Sequence, residues 1–370
     1  MERFVSAEPF PPGEYIQEEL DARGWSQEDL SQILNITRRH VANLLAGNSA
    51  LTPDVAVSLG QAFNQDPQTW MNLQVTYELA IAAQKDRDTA KRAAVFDKVP
   101  VRELKKRCWL PDVDDADELE KAVCRLLRID SINAEPQFAV AARKGTYYGY
   151  ENAAQVAWYM RARSLAERVH AVAYNEDNLE QGIPELLSLA RNPEDARRIP
   201  KTLGNMGIRL VLLQHLAKTK IEGAAFWLDD YSPAIALSLR YDRIDNLWFN
   251  LMHEIVHIKH RHLSAVDGDS EMDDGELPEM EVIANSEAAN YLIPRDKLDS
   301  FIRRMKPLYY QQRVIQFAQS LGVHPGIVVG QLHKRRELKP SQLRKLLVPV
   351  RCFLIGQTIT DGWGNDLWLE

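Results

Sequence analysis

The chain predicts a multidomain protein. An all-α domain of five short helices comes first, followed by a mainly helical α+β domain with a small sheet. Three observations carry that expectation. Residues 1–80 break into short apolar-periodic runs, each opened by a proline or a capping residue. Residues 207–241 hold three short β-prone runs. An H-E-x-x-H motif then sits in a long, largely apolar helical run. At 370 residues, and roughly 100–200 residues per domain, two or three domains are expected. The divisions are expected at 1–80, a basic helical connector over 81–116, a helical middle region over 117–204, a domain over 205–345 and a tail over 346–370.

In order along the chain, Pro11-Pro12-Gly13 opens the first helix, with Tyr15, Ile16 and Leu20 at helical spacing, and Gly24 ends it. Ser26 caps a second helix, Gln27–Leu34, with Asp29 three residues on as a shortened capping box. Asn35-Ile36 makes a turn. Thr37 caps the third helix, Arg38–Leu45, and Gly47-Asn48 stops it. Thr52-Pro53-Asp54 starts the fourth, with proline at the first position. Asp66-Pro67 precedes the fifth, which carries Trp70, Leu73 and Tyr77.

Helix, tight turn and helix over Gln27–Leu45 is the spacing of a DNA reader, whose second helix enters the major groove. Leu30, Ile33, Leu34, Val41 and Leu44 are expected to face inward. Thr37, Arg38, Arg39, His40 and Asn43 then point outward. Arginine pairs bidentately with guanine and asparagine with adenine, and Thr37 suits a phosphate contact. Charge complicates this, and a helical dimerisation module is the alternative: residues 1–75 carry four Lys/Arg against ten Asp/Glu. Pro12-Gly13-Glu14, Gly24 to Leu30, Leu45-Ala46-Gly47-Asn48 and Trp70-Met71-Asn72-Leu73-Gln74 with Tyr77 resemble the XRE-type helix-turn-helix domain of HigA-family antitoxins. The resemblance implies a homodimer that binds palindromic operator DNA, represses its own promoter and has a RelE-like ribonuclease toxin as partner.

Beyond residue 80 the character changes. Lys85 to Arg107 holds nine Lys/Arg and four Asp/Glu, which reads as an exposed connector. Helical spacing follows over Ala153–Val172 and Ile183–Leu189. The β-prone runs are Ile208–Leu213, Ala224–Leu228 and Ala234–Leu239, with Gly223 and Asp229 to Pro233 as breaks. Helices are expected over Asn246–Lys259, over about 281–292 up to Pro294, and roughly over 296–320 and 325–336. The tail from Val348 reads as irregular or β-like. Between Asp267 and Glu281 lie eight acids and no base, a solvated insert or a gate.

His253-Glu254-Ile255-Val256-His257 puts two histidines at i and i+4, on one helix face, able to hold one Zn²⁺. Glu254 beside them is placed as the general base. A third ligand is needed, and Glu281, opening the next helix, is the candidate, although many acids surround it. His260 and His262 stand close enough to serve another site, or simply end a solvated helix. His324, in Gly322-Val323-His324-Pro325-Gly326, is either an oxyanion-stabilising group or a helix cap.

Leu237 to Phe249, the H-E-x-x-H and Glu281-Val282-Ile283-Ala284-Asn285 through Ala288-Ala289 to Leu292-Ile293-Pro294 resemble the ImmA/IrrE metallopeptidase-like domain. The resemblance covers about residues 205–335 and implies a zincin-like helix. It makes His253, His257 and Glu281 the zinc ligands and Glu254 the catalytic acid/base, with a protein as substrate. It departs at Glu287, where that family carries an aromatic. The function expected of the whole is a transcriptional regulator of the antitoxin type, repressing its own operon, joined to a zinc metallopeptidase-like domain that cleaves a protein or senses a signal. The alternative is a non-catalytic, toxin-neutralising binding protein with a structural or vestigial metal site.

Composition bounds these expectations. With 45% apolar and 26% charged residues and a net charge of −7, the chain is neither fibrous nor wholly disordered, and it is no general nucleic-acid coat. No apolar run reaches the 18 or so residues of a membrane span. Three scattered cysteines form no disulfide framework and read as buried reduced thiols. The expected location is the cytoplasm.

Overall fold

The computed structural model describes residues 10–85, 88–136, 152–262, 265–268 and 278–365. Two compact units divide between Lys91 and Arg92.

In the first unit, α1 (Pro12–Arg23), α2 (Gln27–Leu34), α3 (Arg38–Leu45), α4 (Pro53–Phe63) and α5 (Pro67–Lys85) follow the expected order. Their starts have the expected chemistry. The Ser26 hydroxyl accepts from the Asp29 backbone N–H while the Asp29 carboxylate accepts from the Ser26 N–H, so both donors of the capping box are satisfied. Thr37 Oγ1 accepts from His40 N–H, and Thr52 Oγ1 from Val55 N–H. Asn35, left-handed at φ 52°, ends α2 and makes the turn. Ile16, Leu20, Leu30, Leu34, Val41, Leu44, Leu59 and Trp70 share one core. Ile33 does not join them and is 47% exposed. At about 100° per residue Leu30 and Leu34 nearly eclipse, while Ile33 falls to their flank. A Cβ on Gly13 would come within 2.4 Å of the Leu44 and Leu45 carbonyl oxygens. Only glycine lets α1 cross α3 this closely.

The second unit is built around a five-stranded mixed sheet in the order β4-β2-β3-β1-β5. The strands are β1 (Arg209–Leu213), β2 (Ile221–Trp227), β3 (Pro233–Leu237), β4 (Ala265–Gly268) and β5 (Thr360–Asp361). β1 runs parallel to β3 and β5, while β2 runs antiparallel to β3 and β4. Side chains alternate between two cores. Leu210, Leu212, Ala225, Ile235 and Leu237 face one way, and Val211, Leu213, Ala224, Phe226, Ala234 and Ala236 the other.

Helices cover both faces. The second face receives α6 (Asp88–Lys98), α7 (Val101–Lys106), α8 (Ala116–Leu127) and α9 (Ala153–Ala166). Trp158 on α9 donates to the Leu213 carbonyl, and Arg163 to those of Trp227 and Leu228. The first face receives α10 (Glu176–Ser188), α11 (Ile199–Asn205), α12 (Ile244–Lys259), α13 (Glu279–Leu292), α14 (Arg295–Met305), α15 (Gln311–Leu321) and α16 (Pro325–Lys334). A short α17 (Arg351–Leu354) precedes β5.

Three expectations change here. The basic stretch 85–107 is not a free connector: Val95, Val99, Val101 and Leu104 are buried against the sheet, so its lysines and arginines form the outer side of packed helices. The helical region 117–204 belongs to the same compact unit as the sheet. In keeping with the irregular or β-like reading, the tail supplies β5, whose Asp361 is buried and accepts from Arg161 Nε at 2.7 Å and Trp109 Nε1 at 3.2 Å. The cysteines are free but none is buried, and Cys352 is exposed.

Candidate metal centre and nucleic-acid interface

α12 is apolar nearly all round, as a helix covered on every side must be. Leu251, Met252, Ile255, Val256 and Ile258 are fully buried. One face of α12 carries His253 and His257, which are also fully buried. Their Nε2 atoms approach to 2.9 Å. α13 packs against α12 through the small buried residues Ala284 and Ala288. That packing brings Glu281 to the pair. Its Oε2 lies 3.2 Å from His253 Nε2 and its Oε1 3.4 Å from His257 Nε2.

Among the described residues these three form the one group of metal-binding side chains whose donor atoms converge. Two imidazole nitrogens and a carboxylate are the donor chemistry of a three-ligand zinc site. Burial pushes the His257 imidazole down and so favours the neutral form that binds metal. Burial also pushes the Glu281 carboxyl up, but the two histidines outweigh it and hold the group at about 2. It therefore stands ionised, ready to ligate.

Glu254, the residue between, is fully buried. Its Oε1 occupies the space over Gly223 of β2, where a Cβ would lie only 2.4 Å away. Gly223 reads from sequence as a break between strands. In the fold it lies inside β2, and its missing side chain seats the carboxylate. A glycine next to an acid in a β-prone run is a weak signal, and only the crossing of α12 over β2 gives it meaning.

The remaining histidines separate from the triad. His262 Nδ1 lies 3.0 Å from His257 Nδ1, bracing that ring from its other side. His260 Nε2 meets Glu287 Oε1 at 2.8 Å, which gives the acid at that position a partner. His324 caps α16, its Nδ1 accepting from Gly326 N–H. A Cβ on Gly326 would touch Ile244, the first residue of α12, and His253 lies about 13 Å further along at 1.5 Å per residue. The structure thus gives His324 the capping role and does not bring it to the triad. Residues 269–277 of the acidic stretch lie outside the described residues.

In the first unit, Thr37, Arg38 and Arg39 are exposed, and His40 and Asn43 are half-buried. They run from the N-cap of α3, the helix that follows the turn, along its length to Asn43 in its last turn. Arg38 lies 3.7 Å from Glu28 across that turn, an exposed pair of the kind worth little.

The helix-turn-helix family model matches residues 16–70. An HTH-type transcriptional regulator of Escherichia coli K12, YddM, is 38% identical over 71 residues, which are 19% of this chain and 76% of that protein. One from Haemophilus influenzae is 34% identical over 76 residues, covering 20% and 71% respectively. A solved structure of the Pseudomonas aeruginosa antitoxin HigA with the higBA promoter is 32% identical, covers 21% of this chain and 86% of that one, and has a TM-score of 0.21. Among the described residues no helix is long and apolar enough to cross a membrane.

Proposed function

Through its N-terminal domain the chain belongs to the helix-turn-helix transcriptional regulators, and on that premise we propose that it is an antitoxin-type repressor that binds operator DNA as a homodimer. The observation that carries this reading is the presentation of Thr37, Arg38, Arg39, His40 and Asn43 at the cap and along α3, none of them buried. Arg38 and Arg39 suit guanine edges, Asn43 an adenine and Thr37 a phosphate. The weak Arg38–Glu28 pair opens at little cost. Since residues 1–75 are acidic overall, affinity depends on pairing two recognition helices and falls steeply with salt. A gel-shift assay with DNA from upstream of the gene tests this. Wild type shifts it in preference to random DNA, and R38A/R39A does not. Equal affinity of wild type for both DNAs overturns the reading. A RelE-like toxin is the partner this class implies, and co-purification with the neighbouring gene product checks it.

For the second unit we infer a zinc metallopeptidase of the ImmA/IrrE kind, acting on a protein. The convergence of His253, His257 and Glu281 supports it. These three would hold the ion, which supplies a Lewis acid. Glu254, seated over Gly223, takes the proton of the attacking water and returns it to the leaving amide nitrogen. An extended substrate segment would add to the outer edge of the sheet. E254Q is expected to retain zinc but lose hydrolysis of a casein substrate by about 10²–10⁴-fold. If no casein is cleaved by zinc-loaded wild type, while toxin neutralisation survives in E254Q, the second unit is a binding module with a structural metal.

A further inference from the structure

Along the N-terminal half of α12, in the turns that precede His253, lies a cavity of about 420 Å³. That is the size of a pocket for a small ligand or one large side chain. It is lined by the apolar side chains of Phe249, Leu292 and Ile327 and by the carboxylate of Glu222.

Glu222 reaches this side of the sheet because β2 is bulged. Ile221 pairs with Gly268 and Gly223 with Asp267, so Glu222 is the extra residue. From Gly223 onward the alternation is regular, with Ala225 on the α12 side and Ala224 and Phe226 on the α9 side. Ile221 also packs on the α9 side. In an unbroken strand Glu222 would point there with Ala224, and Ile221 would face α12. The bulge exchanges them, aiming a carboxylate where a strand without it would place an isoleucine.

Two neutral amides then hold that carboxylate. Glu222 Oε2 accepts from Asn250 Nδ2 at 2.9 Å and from Asn246 Nδ2 at 3.1 Å. They fix its position and leave its charge. The site is coupled to the triad on two sides. Gly223, the next residue, seats Glu254, and the Phe249 ring centroid is 6.1 Å from that of His253. Of the other charged groups lining the cavity, Asp245 binds Arg243, whose charge also lies within reach of Glu222, Arg335 binds Asp299, and Lys334 is exposed.

We propose that Glu222 is a specificity residue and that this cavity takes the side chain of a lysine or arginine in the protein segment presented to the triad. The aliphatic stem lies against Phe249, Leu292 and Ile327, and the cationic tip meets Glu222. This use of the cavity rests on the metallopeptidase reading, and the experiment separates the two. The full chain is titrated by calorimetry with the amides of arginine, norleucine and glutamic acid. Wild type is expected to bind arginine amide at least tenfold tighter than either of the others. E222Q abolishes that preference, and E222D, which keeps the charge should E222Q misfold, retains part of it. Equal affinities in wild type overturn the proposal. Cleavage-site profiling of casein by mass spectrometry supplies the second arm. Wild-type cuts cluster beside Lys and Arg, and those of E222Q do not. Cleavage indifferent to basic residues, with one pattern in both proteins, removes the specificity role and leaves the peptidase. Cation preference without any cleavage removes the peptidase and leaves the pocket.

Discussion

His253 and His257 show how little a residue needs beyond its spacing to find a partner on the same helix. Four residues apart on one helix face, they come within reach of each other, and buried there their Nε2 atoms lie 2.9 Å apart. Glu254 is different, because its seat is made by another residue. A methyl group at Gly223 would occupy the space of its Oε1. G223A is therefore expected to keep its zinc, measured by metal analysis, yet lose about 10²-fold in casein hydrolysis, the usual effect of displacing a reacting group by about 1 Å. Asp361 carries a structural version of the same dependence. It is buried with Arg161, and both side chains are almost wholly removed from water. D361A strands the guanidinium and is expected to cost about 3–5 kcal/mol, read as a lower urea midpoint of the second unit. Replacing both members, as in R161M/D361L, should recover much of that loss.

At the scale of elements, caps and close crossings decide where helices begin and how near they lie. G13A in α1 drives a methyl into the carbonyls that end α3. Overpacking of this kind costs about 1–3 kcal/mol, or some 4–8 °C per kcal/mol in a domain of this size. Calorimetry should show the loss in the first unit, together with weaker operator binding. The caps at Ser26, Thr37 and Thr52 and the turn at Asn35 were legible because each is decided by neighbours within a few residues. Ile33 was not, since the sequence shows an apolar residue but not which edge of a narrow stripe it occupies. Helix α12 and its two histidines were legible from periodicity. Glu281 was a candidate as the acid that opens the next helix, and only the resemblance singled it out, because nothing local marks one acid among eight as the one that α13 carries to α12. Glu222 was invisible, since its direction depends on a bulge set by pairing with β4, and no residue within β2 announces it.

For the whole molecule, charge and burial follow different boundaries. The basic run 85–107 looked like a linker because linkers are polar, yet its Val95, Val99 and Leu104 belong to the sheet's second core. The tail, read as irregular or β-like, closes one edge of that sheet with β5. A chain ending before Thr358 would leave β1 as an edge strand rich in leucine and valine, the kind of edge that pairs with other chains. That truncation is expected to abolish the second unit's cooperative unfolding and to send the protein into aggregates, seen by light scattering, while the first unit's transition persists.

β5 also fixes an order of events in synthesis. Its flanking Thr358 bonds to Leu210, 148 residues earlier, and its Asp361 is the counter-ion of Arg161, made 200 residues earlier. Domains made first fold first as the chain leaves the ribosome. The first five helices can close their core while most of the chain is still untranslated. The sheet waits for its last strand. A nascent polypeptide therefore carries a finished first unit long before it carries a finished second one.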